Sequence, residues 1–299
     1  MHFGVSVPNN QGVYQMSTLV DFAVEAERLG FESGWVSDHL FHAAYVAQRL
    51  DERPYHEPLT LLSIIAARTE RFGLGTSVLV LPWHHPVRLA KTIASLDNFS
   101  DGRVQLGVGV GVTKDEYAAL GIEFTSRGRL ANEQLAVMKA LWTQSEPTHS
   151  GAHYAFSGLR FEPKPSQNPH PPIWIGGNSE AAHRRLVAFG DAWHPLGVSP
   201  NDLRGAHDAL KTKLRDASRA TDVPIAVRLI VEFKDQPSER PIAERKTCRG
   251  TPEEMVALIA AYRDAGATHV IFDGATHDVE RTHRDFERLQ AEVLPHIAR

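Results

Sequence analysis

Apolar segments recur along this chain in a fixed order. Short β-favouring runs alternate eight times with runs of helical period, strand always before helix. The first strand is Phe3–Pro8. Ser17–Leu29 follows, with Leu19, Phe22, Ala23, Ala26 and Leu29 on one face, and Gly30 stops it. Further strands are expected at Trp35–Ser37, Leu74–Leu81, Val104–Val110, Ile173–Ile175, Asp191–His194, Ile225–Phe233 and His269–Phe272. Helices are expected at Leu59–Thr69, Val87–Phe99, Gly128–Trp142, Ser179–Phe189, Asn201–Ala220, Pro252–Ala265 and Val279–Ile297. Leu74–Leu81 is apolar on both faces, as a parallel strand buried on two sides requires. Thr251, Pro252 and Glu254 carry capping-box chemistry.

Eight strand–helix units in one direction predict an α/β fold, a (β/α)8 TIM barrel with insertions. An open doubly wound sheet would need a Gly-rich turn after the first strand, and Pro8-Asn9-Asn10-Gln11-Gly12 does not supply it. Residues of about 143–172 and 234–250 break the rhythm and read as insertions in a single domain spanning 1–299. A hairpin is expected through Tyr154–Phe161.

Composition excludes several functions. No apolar run reaches 18 residues, so no membrane span is expected. A net charge of −4 without a basic face argues against nucleic-acid binding. The single cysteine, Cys248, rules out an intramolecular disulfide and a Cys-based zinc site. Met1–Pro8 has no basic leader, so a cytoplasmic enzyme is expected.

Barrel chemistry gathers at the C-terminal ends of the strands. Those ends carry Ser37-Asp38-His39, Gly75-Thr76-Ser77-Val78, Gly107-Val108-Gly109-Val110-Gly111, Gly176-Gly177-Asn178-Ser179, Trp193-His194, Arg228 with Glu232, and Asp273. Two glycines before a helix start let backbone amides approach a phosphate, although an ordinary glycine turn with a good N-cap reads the same way. The Gly107–Gly111 run is not a dinucleotide fingerprint, because Val112 stands where its third glycine belongs. It reads either as room for a flat ring against backbone or as a structural turn. Asp38-His39 puts a titratable pair at the rim, and His84-His85 is a second candidate. His39 with His42, and His149 with His153, have helix-like spacing but no carboxylate ligand nearby, so no metal site is expected.

Several motifs occur in one order: Asp38-His39-Leu40-Phe41, Leu74-Gly75-Thr76-Ser77-Val78-Leu79, Gly102-Arg103 with Leu106-Gly107-Val108-Gly109, Pro171-Pro172-Ile173-Trp174-Ile175-Gly176-Gly177-Asn178, and Gly190-Asp191-Ala192-Trp193. Together they resemble the bacterial luciferase-like monooxygenase superfamily, in particular its branch of oxidoreductases using the deazaflavin coenzyme F420. That resemblance implies a coenzyme ring in the barrel mouth, F420 or alternatively FMN. It implies contacts from Thr76, Ser77, Val78, Gly109, Val110 and Gly111, with a non-proline cis peptide at Ser77-Val78. It assigns the coenzyme phosphate to Gly176, Gly177, Asn178 and Ser179. His39 would be the catalytic histidine, and Asp38 would contact the ring edge or orient it.

The implied function is hydride transfer between F420 and a small organic substrate. The alternatives are an FMN-dependent monooxygenase served by a partner reductase, and a flavin-binding protein without catalysis. The substrate would be read by Phe41–Pro58, His84-His85, Thr113–Phe124 and the two insertions. A homodimer, common in the superfamily, is also implied. Val112 stands where deazaflavin sugar-phosphate dehydrogenases carry a glutamate, and Val110 where luciferases bring an arginine to the FMN phosphate. The coenzyme's anionic oligoglutamate tail would call on Arg184, Arg185, Arg228, Arg245 or Lys246.

Overall fold

The computed structural model describes residues 1–43 and 45–297. Ala44, inside the 41–58 loop expected to read substrate, and residues 298–299 lie outside it. The strands are β1 (His2–Ser6), β2 (Ser33–Val36), β3 (Gly73–Thr76), β4 (Leu79–Val80), β5 (Val104–Gly109), β6 (His149–Ser150), β7 (Ala155–Phe156), β8 (Ile173–Gly176), β9 (Ala192–His194), β10 (Ala226–Phe233), β11 (Cys248–Gly250) and β12 (His269–Gly274). The helices are α1 (Met16–Arg28), α2 (Tyr45–Leu50), α3 (Pro58–Arg68), α4 (Pro86–Phe99), α5 (Lys114–Ala119), α6 (Arg127–Thr143), α7 (Glu180–Phe189), α8 (Pro200–Asp216), α9 (Pro252–Asp264) and α10 (Val279–Arg288).

The main sheet is parallel throughout, in the order β11-β10-β12-β1-β2-β3-β5-β8-β9, and β4 adds to β5. β9 also approaches the residues that lead into β10. Trp193 of β9 forms an isolated parallel bridge with Ile225, and its amide donates to the Pro224 carbonyl at 2.8 Å. This is the expected parallel α/β alternation. Helices cover the outside with apolar stripes such as Leu19, Phe22, Ala23 and Ala26 of α1, all buried. Fully burying a leucine or phenylalanine of this kind stabilises by about 1.5–3 kcal/mol. Inside the sheet, Trp35 and Trp174 meet edge to face at 5.6 Å, packed with Ala192, Ala226 and Ile271. His194 lies against Trp35, and His269 against Trp174.

Four differences from the expected elements have physical causes. The Leu74–Leu81 strand is split, because the Ser77–Val78 peptide is cis and interrupts the ladder between β3 and β4. The last helix ends at Arg288 and gives way to a wider turn at Leu289–Val293 and a tighter one at Leu294–His296. Pro295 cannot donate an amide and would clash with a continuing helix. The hairpin pairs His149 with Phe156 and Ser150 with Ala155, earlier than expected, because Glu133 of α6 accepts the His153 and Tyr154 amides and pins its turn. The second insertion is not wholly irregular: β11 pairs with the end of β10. The capping box at Thr251 and Glu254 forms in both directions. Among the described residues, no helix is long and apolar enough to cross a membrane.

Candidate active site

Asn9 sets the mouth. Fully buried just beyond β1, it imitates a strand partner: its Oδ1 accepts the Ser37 amide at 3.0 Å, and its Nδ2 donates to the carbonyls of Ser37 and His56, both at 2.8 Å. The segment carrying Ser37, Asp38 and His39 is thereby locked to two neighbouring loops.

His39 then meets a residue that sequence reasoning missed. Its Nδ1 lies 2.8 Å from Oε2 of Glu116, on the short helix α5, while Oε1 of that carboxylate accepts the Leu40 amide at 2.8 Å and the Phe41 amide at 3.2 Å. Glu116 is fully buried. Burial alone would raise its pKa, but the hydrogen bonds from His39 and the two amides outweigh it and hold the carboxyl below the usual range. The helix is anchored by Tyr117, whose hydroxyl donates to the Val110 carbonyl and whose ring packs on Trp83 and Phe124. The imidazole of His39 is flanked by Tyr55 and Trp83, at 5.5 and 5.8 Å.

Asp38 faces β4 and the loop after it. Its Oδ2 accepts the Val80 amide at 3.0 Å and lies 3.1 Å from Nε2 of His84. It therefore braces the chain after the cis peptide and draws in one of the two loop histidines. His85 instead meets Tyr154 of the hairpin.

A second polar cluster surrounds Ser77. His194 Nδ1 faces the Ala226 carbonyl at 2.7 Å, so that nitrogen carries the proton, and the Ser77 hydroxyl donates to Nε2 at 2.8 Å. Burial lowers the His194 pKa to about 4, so the ring is neutral. Arg228 reaches in from β10. It is held by Asp273 at 2.7 Å and points an amino group at Ser37 Oγ, 3.2 Å away, and at Ser77 O and Oγ, both 3.5 Å away.

The glycines at the rim make room for valine side chains. A Cβ on Gly109 would lie 2.8 Å from Val78 Cγ2, one on Gly176 would lie 3.1 Å from Val78 Cγ1, and one on Gly111 would lie 2.9 Å from Val80 Cγ1. Val78 thus sits in a notch cut by β5 and β8. Thr76 is spent inside the wall, its hydroxyl donating to the Gly107 carbonyl at 2.7 Å. Gly177 adopts φ +105°, a conformation that turns the chain into α7. Asn178 closes the loop against Leu196, Ser179 caps the helix by accepting the Ala182 amide, and both are exposed.

The expected tail cations scatter. Arg185 is buried and bonded to Asn132 and the Gly128 carbonyl, and Arg245 is buried against Glu254, so both serve the fold. Arg184 is exposed beside Glu180, and Lys246 pairs with Asp202. His42 is turned to the Arg53 carbonyl and His149 to Glu133, so neither joins a metal cluster at the mouth. Among the described residues, Glu25, His283 and Glu287 could share an ion, but they lie on the outer helices, where Arg28 holds Glu25.

Two buried polar atoms beside the mouth lack a partner: Asn10 Oδ1, next to Ser37, and Trp83 Nε1, next to His39. Unsatisfied groups of this kind suit a flat polar ring, and the start of α7 suits a phosphate, so these residues fit a flavin-type coenzyme.

A family model described as luciferase-like monooxygenase matches residues 1–242. The FMNH(2)-dependent dimethylsulfone monooxygenase of Pseudomonas putida is 31% identical over 246 residues, covering 81% of this chain and 65% of that enzyme. The F420-dependent glucose-6-phosphate dehydrogenase of Microbacterium testaceum is 29% identical over 343 aligned positions, covering 99% of this chain and 97% of that one. Among solved structures, a monooxygenase from Streptomyces bottropensis superposes with a TM-score of 0.82 at 23% identity, covering 100% of both chains. An F420-dependent secondary alcohol dehydrogenase in complex with an F420–acetone adduct gives 0.82 at 19%, covering 100% of this chain and 99% of that one. At these identities the two structures speak to the fold alone.

Proposed function

The chain belongs to the luciferase-like monooxygenase family, and from that premise we propose a deazaflavin-dependent oxidoreductase, moving hydride between coenzyme F420 and a small organic substrate. Coverage carries the choice of coenzyme: the F420-dependent relative aligns along almost its whole length, the FMNH(2)-dependent one along about two thirds. We take the wall to be a complete (β/α)8 barrel in a single domain, which the Trp193–Ile225 bridge supports.

When bound, the deazaflavin supplies the carbon that gains or loses the hydride. The chain's own residues do the rest. Ser77, Val78, Gly109, Val110 and Gly111 form the surface for the ring. Asn10 Oδ1 and Arg228 offer it polar contacts, and the amides from Gly177 to Glu180 take the phosphate. His39 handles the proton. Because Nδ1 gives its hydrogen to Glu116, Nε2 is the basic nitrogen, and it takes the proton from a substrate hydroxyl as that carbon gives up hydride. Glu116 then stabilises the imidazolium, and the reverse reaction returns the proton. Tyr55 and Trp83 give the substrate an aromatic wall, and Val112 argues against a sugar phosphate.

An FMN-dependent monooxygenase with a reductase partner is the second reading, favoured by the 31% identity to the dimethylsulfone enzyme. Equilibrium titration separates the two. Quenching of deazaflavin fluorescence by the purified protein is the expected result. No quenching, together with tight FMN binding and oxygen uptake with reduced FMN, would overturn it.

A further inference from the structure

Two serines at the floor of the mouth offer opposite hydrogen-bonding faces. Ser37 follows β2, and Ser77 stands between β3 and β4. Both hydroxyl oxygens lie within 3.5 Å of one nitrogen, Nη1 of Arg228. What each can offer a ligand is set by the groups already bonded to it.

Ser77 has spent its hydrogen. His194 is buried, and the hydrogen on its Nδ1 is committed to the Ala226 carbonyl at 2.7 Å, so its Nε2 can only accept. The Ser77 hydroxyl donates to that nitrogen at 2.8 Å. A hydroxyl has one hydrogen and two lone pairs. Arg228 approaches one lone pair of Ser77 at 3.5 Å, and the other is left for the mouth.

Ser37 is the reverse. Its oxygen accepts from Asn10 Nδ2 at 3.3 Å and from Arg228 Nη1 at 3.2 Å, which occupies both lone pairs and leaves the hydrogen. Among the described residues, no bonded acceptor takes that hydrogen. Arg228 adds little free charge, because its Nε and Nη2 both donate to Asp273 Oδ2, at 3.0 and 2.7 Å. The floor therefore suits a neutral polar edge better than an anion.

We propose that His194 is a positioning residue: by holding the Ser77 hydrogen it fixes Ser77 Oγ as an acceptor, which beside the Ser37 donor reads an amide-type edge, N–H next to C=O, on the coenzyme ring. Flavins and deazaflavins share such an edge in the imide of their pyrimidine ring. The inference thus rests on the flavin-type ring proposed above and not on which coenzyme carries it. A ring without the N–H leaves the Ser77 lone pair unpaired, and sites built to bond a ligand's polar hydrogen reject analogues that lack it.

Fluorescence titration with FMN, with the deazaflavin coenzyme and with the 3-methyl derivative of each measures this reading directly. The wild type should bind the N–H form about tenfold or more tighter than the methylated form. Ser77→Ala should bring that ratio close to one. His194→Leu keeps Ser77 in place but frees its hydrogen, and it should lower the ratio about fivefold. His194→Gln, whose amide oxygen can accept the same hydrogen, should restore it. Unchanged melting temperatures establish that the variants fold. A wild-type ratio near one, or equal ratios in His194→Leu and the wild type, overturns the proposal.

Nitrogen chemical shifts of His194 in the ring-free protein test the same point without a ligand, even if His194→Leu fails to fold. Nδ1 should be protonated and Nε2 bare, with the Nε2 resonance moved by Ser77→Ala. A protonated Nε2 overturns the proposal whatever binds. If the shifts are as expected but neither ring binds, the coenzyme reading fails and the edge reading falls with it. If a ring binds at a ratio near one, only the role given to His194 and Ser77 fails.

Discussion

Glu116 and His39, 77 residues apart in sequence, form a buried carboxylate–imidazole pair at 2.8 Å, and the same carboxylate ties down the two residues that follow the histidine. One side chain thus sets both the direction of the ring and the path of its loop. Glu116→Gln keeps the shape but loses the charge. Turnover should fall about ten- to a hundredfold, as for other groups that orient a reacting ligand. Nitrogen chemical shifts should move His39 away from a single Nδ1–H tautomer. Glu116→Ala leaves an imidazole and two amides unpaired and should cost about 3–5 kcal/mol in denaturant unfolding.

His39→Ala tests the proton transfer itself. Loss of a general acid–base should slow the hydride step by about 10²–10⁴-fold. Coenzyme affinity, read by fluorescence titration, should change little. A large loss of affinity with normal turnover at saturation would make His39 a ligand instead.

The notch around Val78 makes a packing prediction. Gly109→Ala puts a methyl 2.8 Å from Val78 Cγ2 and should destabilise by about 1–3 kcal/mol through overpacking. Adding Val78→Ala should recover part of that loss, so the double mutant is less than additive in urea unfolding. Strict additivity would mean that the two do not press on each other.

Acid sensitivity should follow from the buried histidines. Burial lowers His194 and His269 from 6.5 to about 4 each. Between those values the unfolded chain binds protons that the folded one refuses. Stability is therefore complete above about pH 6.5 and falls as pH drops toward 4, by roughly 1.4 kcal/mol per pH unit for each histidine. Urea unfolding across pH 4.5–6.5 should show this slope, and His194→Gln should reduce it by one histidine's share.

The hairpin is pinned chiefly by Glu133, which receives the His153 and Tyr154 amides at 2.9 and 2.8 Å. In Glu133→Ala, hydrogen exchange should quicken across 149–156 and remain unchanged in β8, next in sequence.

The alternation of strands and helices was legible because parallel strands buried on both faces and one-sided helical stripes are strong local patterns. The capping box at Thr251–Glu254 was legible for the same reason: its chemistry spans four residues. The cis bond at Ser77–Val78 was expected only through family resemblance, since nothing in two adjacent side chains announces it. Glu116 was missed because Asp115-Glu116 reads as an ordinary acidic first turn. The available hint was an aromatic neighbour, Tyr117, just past a glycine-rich strand end. Arg185, expected on a coenzyme tail, is buried by a contact with Asn132, 53 residues away. Ser77 and His194 are 117 residues apart, and their bond exists only once the wall has formed.

Each of the five tryptophans has a histidine ring within 6 Å: Trp35 with His194, Trp83 with His39, Trp142 with His170, Trp174 with His269 and Trp193 with His183. Charged imidazole quenches indole emission far more than neutral imidazole does. Burial keeps His183, His194 and His269 resistant to protonation, so their three indoles stay bright into mild acid. Trp83 is different, since its neighbour is the imidazole at the mouth. The emission of that indole therefore reports on what enters the mouth beside His39.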